Sequence, residues 1–117
     1  MHELGILNAM IHTIEDTLAS EEGVAGVAEI VVEVGELSGI VPRYLEECWP
    51  AARYKTSMAE TNLILEIIPG LVECRGCGTI YNAVAEDFHC PVCGEKDSEM
   101  ISGNDLLIKE IRVIDTE

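Results

Sequence analysis

Positive charge is what this sequence has least of. Lys and Arg number 7 against 22 Asp and Glu, a formal net charge of −15. So acidic a surface repels phosphate, which argues against a nucleic-acid binder and against docking on an anionic membrane. Long apolar runs are missing too. The best of them, LILEIIPGLV, contains Glu66 and Pro69 and is too short to span a bilayer. The opening MHELGI has an acid where a secretory leader needs bases, so the chain is expected in the cytoplasm. There is no Gly-rich phosphate loop, and no nucleophile stands in a recognisable frame with a base. The chain is therefore read as a non-enzyme.

What is present suits one folded unit with a small appendage. The length is 117 residues, and 48% of them are hydrophobic, enough for a packed core. Leu4, Leu7, Ile11, Ile14 and Leu18 recur at spacings of three and four and predict an amphipathic helix over 3–20. Residues 28–36 alternate, which predicts a strand with Ile30, Val32 and Val34 on its core face. GELSG, Gly35 to Gly39, reads as a turn. Pro42 suits the first turn of a second helix, with Ser38 nearby as a cap. Leu45, Cys48, Trp49 and Ala52 form that helix's apolar stripe, and Pro50 is expected to shorten or kink it. Residues 62–68 and 105–114 predict two more strands, the last with Leu107, Ile111 and Val113 sharing a face with Lys109.

The stretch 70–103 differs in composition. It holds four of the five cysteines and has little apolar period. Cys74 and Cys77 form one CxxC pair, Cys90 and Cys93 another, with twelve residues between them. An odd cysteine count with two such pairs, in a chain without an export signal, points to metal rather than disulfides. Four thiolates at this spacing close a tetrahedral zinc site with no open position for catalysis. Gly78 and Gly94 follow the pairs, where a positive φ is needed and the N–H is expected to reach a bound sulfur. A module this short buries too little to fold alone, whereas a structural zinc supplies roughly 10–16 kcal/mol. The alternatives are a rubredoxin-like iron electron carrier, disfavoured by closer pairs and only 4% aromatics, and a plain zinc-knuckle adaptor. His89 reads as exposed or outside the sulfur set, Cys48 as a small buried residue, and His12 as a solvated helix residue.

The N-terminus offers a second, different donor set. The α-amine of Met1, the amide nitrogen of His2 and its imidazole can close two fused chelate rings. Such a nitrogen-rich set suits Ni(II) or Cu(II), which favour square-planar coordination, more than Zn(II). The first N–H groups of a helix have no intrahelical partner, so metallation there breaks no ladder bond. The helix dipole opposes a cation at that end by about 0.3–1 kcal/mol, which loss of amide protons and the nearby Glu3 carboxylate outweigh.

Taken together, MHE at the start, VVEVGELSGIVP, the CxxCG-x11-CPxCG frame and SGNDLLIKEIRV near the end resemble the HypA/HybF family over the whole chain. That family consists of nickel metallochaperones that help insert nickel into [NiFe]-hydrogenase and, in some organisms, urease. The resemblance implies an α+β fold: a nickel-binding domain of two helices on a three-stranded sheet, residues 1–69 and 104–117, with an inserted four-cysteine zinc-knuckle domain, 70–103. It implies nickel on Met1 and His2 with Glu3 contributing, and structural zinc on Cys74, Cys77, Cys90 and Cys93. It further implies a HypB GTPase partner and delivery to the [NiFe]-hydrogenase large subunit precursor, by a monomer or weak homodimer.

Overall fold

A computed structural model describes residues 3–116. Met1 and His2, the expected nickel ligands, lie outside the described residues. The elements run α1 (Glu3–Leu18), β1 (Val24–Gly35), α2 (Pro42–Arg53), β2 (Asn62–Ile68), β3 (Leu71–Cys74), β4 (Ile80–Asn82), β5 (Ser98–Met100) and β6 (Leu106–Asp115). Two sheets of three strands form, in the orders β2-β1-β6 and β4-β3-β5. The α+β class that the resemblance implied is the one observed. The chain divides into two compact units. The first takes the residues up to Val32, Val41–Glu66 and those from Leu107; the second takes Glu33–Ile40 and Ile67–Leu106.

In the first unit α1 packs on α2. The buried stripe of α1 is Leu7, Met10, Ile11 and Ile14. Leu4, expected in it, is 40% exposed, and Met10 takes its share of the burial. From α2 come Leu45, Trp49 and Ala52. Pro50 does not end that helix, which runs on to Arg53. Cys48 is only half-buried. β1 is the middle strand and begins earlier than its alternation indicated, at Val24. Ile30, Val31 and Val32 are all buried, so the expectation of one wet face fails at Val31: a central strand can be closed on both sides where its neighbours cover it.

Thr61 ties three segments together. Its hydroxyl donates to the Val27 carbonyl at 2.7 Å, while its own carbonyl accepts from Trp49 Nε1 (2.9 Å) and Arg53 Nη1 (2.8 Å). On β6, Lys109 pairs with Glu66 and Arg112 with Glu29, both at 2.9 Å, which satisfies the charges of a partly exposed strand.

The second unit has more regular structure than its irregular composition indicated. β3 pairs antiparallel with both neighbours, Val72 opposite Tyr81 and Met100, and Cys74 opposite Ser98. Its core is Val72, Cys74, Tyr81, Ala83 and Cys90, with Leu37 packed against it. Leu37 belongs to the GELSG turn, which this unit holds by backbone bonds: Gly35 N–H to Asp105 O (2.9 Å), Glu36 N–H to Ile68 O (2.9 Å) and Leu37 N–H to Gly103 O (2.7 Å). Ser38 does not cap α2. Its hydroxyl donates to Gly35 O within the turn, and the N-cap position, Val41, has no side-chain bond.

Candidate metal centre

Each cysteine pair is delivered by a strand end or turn whose backbone folds the same way twice. Cys74 N–H donates to Thr79 O (2.8 Å) and Cys90 N–H to Glu95 O (2.9 Å). Gly78 N–H donates to Cys74 O and Gly94 N–H to Cys90 O, both at 2.9 Å. Gly78 and Gly94 have φ of 79° and 78°, the left-handed region that glycine enters at least cost. Their N–H groups therefore close the two turns on carbonyls and do not reach sulfur as expected. The N–H···S contacts come from elsewhere: Gly76 to Cys74 Sγ (3.3 Å), Cys77 to Cys74 Sγ (3.5 Å) and Val92 to Cys90 Sγ (3.4 Å).

This repetition brings all four sulfurs within 4.8 Å of one another. Cys74 Sγ lies 3.5 Å from Cys93 Sγ, and Cys77 Sγ lies 3.6 Å from Cys90 Sγ. A tetrahedron with Zn–S bonds of about 2.3 Å has edges of about 3.8 Å, so the sulfurs already stand close to zinc spacing. Within each pair the first cysteine is buried in the core and the second is exposed. The cluster thus replaces core at its inner side and is reachable at its outer side.

The electrostatics point the same way. The Thr79 hydroxyl, 3.1 Å from Cys77 Sγ, and then the Thr79 backbone N–H hold that thiol down at about 6. At Cys93 the Glu95 backbone N–H works downward, but the crowding sulfurs of Cys74, Cys77 and Cys90 push the thiol up to about 12. Four negative sulfurs cannot be held this close by the protein alone, whereas a divalent cation at their centre favours all four thiolates. The donor set and its spacing fit a structural zinc.

His89 is exposed and its Nδ1 sits 2.6 Å from the Asp87 carbonyl, outside the sulfur set. His12 is exposed on α1, as expected. Glu3 opens α1 as its first described residue and is half-buried. Sequence reasoning missed Thr79. Its position two residues after Cys77 in CGTIY was visible, but that its hydroxyl turns back to sulfur was not.

Comparison with known proteins covers nearly the whole chain. A family model described as "Hydrogenase/urease nickel incorporation, metallochaperone, hypA" matches residues 1–113. The hydrogenase maturation factor HypA of Geobacter metallireducens is 31% identical over 97% of this chain and 99% of its own length. Those of Geobacter sulfurreducens (33%; 97% and 99%) and Aquifex aeolicus (32%; 97% and 97%) are similarly close. The solution structure of the Ni metallochaperone HypA from Helicobacter pylori superposes with a TM-score of 0.67 at 19% identity, covering 99% of this chain and all of that one. At that identity the likeness speaks for the fold alone, and the fold agrees. The sequence relatives and the family match carry the assignment: the chain belongs to the HypA family of hydrogenase and urease nickel-incorporation metallochaperones.

Proposed function

We propose that this chain binds Ni(II) at its N-terminus and hands it on for [NiFe]-hydrogenase maturation, without catalysis of its own. The ligands are the α-amine of Met1, the amide and imidazole nitrogens of His2, and the Glu3 carboxylate. Four-sulfur zinc on Cys74, Cys77, Cys90 and Cys93 is structural, and it leaves the nitrogen-rich site as the exchangeable one. The observation that carries the reading is the family match beginning at residue 1, which includes MHE, on a chain whose sulfur cluster is closed. The starting Glu3 of α1 supports it, because the unpartnered N–H groups of a first helical turn can be metallated without breaking the helix. On this reading the helical domain, 1–69 with 104–117, carries nickel and 70–103 carries zinc. The partners are a HypB GTPase and the hydrogenase large subunit precursor, met in the cytoplasm.

Calorimetric titration of nickel into untagged, zinc-loaded protein tests this. About one nickel per chain is expected for the wild type. Loss is expected in His2→Ala and in a variant with one residue added before Met1, which moves the α-amine. Affinity should fall steeply as pH drops through the histidine range, since amine and imidazole must both lose protons. Equal binding by all three proteins would place nickel elsewhere and sink the proposal.

A further inference from the structure

A groove of about 340 Å³ lies at the C-terminal end of α1, outside the sulfur cluster. That is within the size range of small-ligand pockets, about 300–1,000 Å³. Its lining is mostly apolar: Leu18, Ala19 and Val24 carry the accessible part, with Val27 and Met58 buried beneath them. Glu15 and Ser57 supply its polar side chains, and among the described residues no Lys or Arg lines it. Ser57 Oγ donates to Glu15 Oε2 at 2.5 Å, which holds the carboxylate in place across 42 residues of chain. Oε1 is 4.0 Å from His12 Nδ1, so it retains accepting capacity.

Three features favour a cation with an aliphatic stem. The Glu15 carboxylate is half-buried, its side chain 35% exposed, where a charge pair is screened less than in open water. The groove sits where α1 ends, at Leu18, and the last turn of α1 has no basic residue to neutralise the negative end of the helix dipole. Glu21 and Glu22 come three and four residues after Leu18, in a chain of net charge −15. A simple metal ion would gain nothing from the floor; a Lys or Arg side chain lays its methylenes on apolar surface and keeps its head on a carboxylate.

We propose that this groove seats a Lys or Arg side chain presented by a protein partner, with the stem over Leu18, Ala19 and Val24 and the charged head on Glu15. The site stands apart from the nickel reading and survives its failure. A basic partner segment is the committed occupant because charge complementarity and an apolar lining coincide here, and complementary charge also raises encounter rates.

The test is an NMR titration of full-length, zinc-loaded protein with the peptide acetyl-Gly-Gly-Arg-Gly-Gly-amide. Saturable shifts are expected at the methyl groups of Leu18, Val24, Val27 and Met58. Glu15→Gln keeps an acceptor for Ser57 and should weaken binding about fivefold, the upper end for one partly exposed charge pair. Ala25→Leu leaves the charge intact while filling the rim of the groove, and should abolish the shifts. Shifts spread along the acidic surface, or unchanged binding by either variant, would overturn the site. n-Propylguanidinium serves as the second probe. If it binds as tightly as the peptide, the groove takes a free small cation and the partner segment is overturned.

Discussion

Glu36 Oε1 accepts from Asn82 Nδ2 at 2.8 Å although 46 residues separate them, and the same oxygen accepts from the Gly70 N–H at 2.8 Å. Asn82 Oδ1 in turn accepts from the Ala85 N–H, at the head of the segment that leads to Cys90. One exposed carboxylate therefore joins the GELSG turn to the sheet that carries the first cysteine pair and to the approach of the second.

The Gly70 N–H, and then Asn82, lower the Glu36 carboxyl below its ordinary value of 4.5. A folded-state value below the unfolded one means that the stabilisation is complete above the unfolded value and is lost as pH falls through the folded one. The difference in urea midpoint between wild type and Glu36→Gln should thus stay constant from about pH 7 down to about pH 5.5 and narrow only in more acid solution. A difference that widens on acidification would remove the carboxylate from this account.

Gly35 and Gly103 meet backbone to backbone. A Cβ on Gly35 would overlap Gly103 O, and one on Gly103, where φ is 83°, would fall 2.5 Å from Pro69 O. Alanine at either position should cost more than about 3 kcal/mol, among the larger effects of single substitutions. Gly39 is the control: its φ is 81° but its surroundings are open, so Gly39→Ala should cost only about 1–2 kcal/mol, the left-handed backbone term. Chemical denaturation of the three variants ranks them, and equal costs would refute the steric reading.

Removing the metal should act locally. In the second unit the buried sulfurs of Cys74 and Cys90 are part of the core, with Val72, Tyr81 and Ala83. A strong chelator should therefore strip hydrogen-exchange protection from β3, β4 and β5 while α1 keeps its own. Cys90→Ser, which buries a hydroxyl at a site 3% exposed, should lose the metal more readily than Cys93→Ser. Metal analysis after dialysis reads that order.

Thr61→Val should lower stability by about 1–3 kcal/mol, because the Val27 carbonyl loses its donor inside the core. Thr61→Ser restores the hydroxyl and should recover most of it. The Trp49 and Arg53 bonds go to the Thr61 carbonyl and survive both changes, so tryptophan fluorescence should stay native in each.

Local rules carried far in this chain. Helical spacing in Leu7, Ile11 and Ile14, the proline at the head of α2 and the two CxxCG pairs each act over a few residues, and the elements and the sulfur cluster follow from them. The run NLILEII became β2 at the positions its composition indicated. Long-range contacts decided the rest. Ser38 had the chemistry of a cap, yet the Gly35 carbonyl claimed its hydroxyl once the turn closed. Val31 alternated with acids, yet the central place of β1 buried it. Glu36, Gly70, Asn82 and Gly103 carry no mutual signal in one dimension, because their bonds and close approaches link segments more than thirty residues apart. The residues by themselves thus determined both helices, the three strands β1, β2 and β6 and the metal knuckle; β3, β4 and β5 have too little apolar period to be read and form by pairing in the folded chain. Only the tertiary structure decided which unit takes the GELSG turn and where a groove opens beside Glu15, since burial and backbone pairing depend on what the folded chain brings alongside.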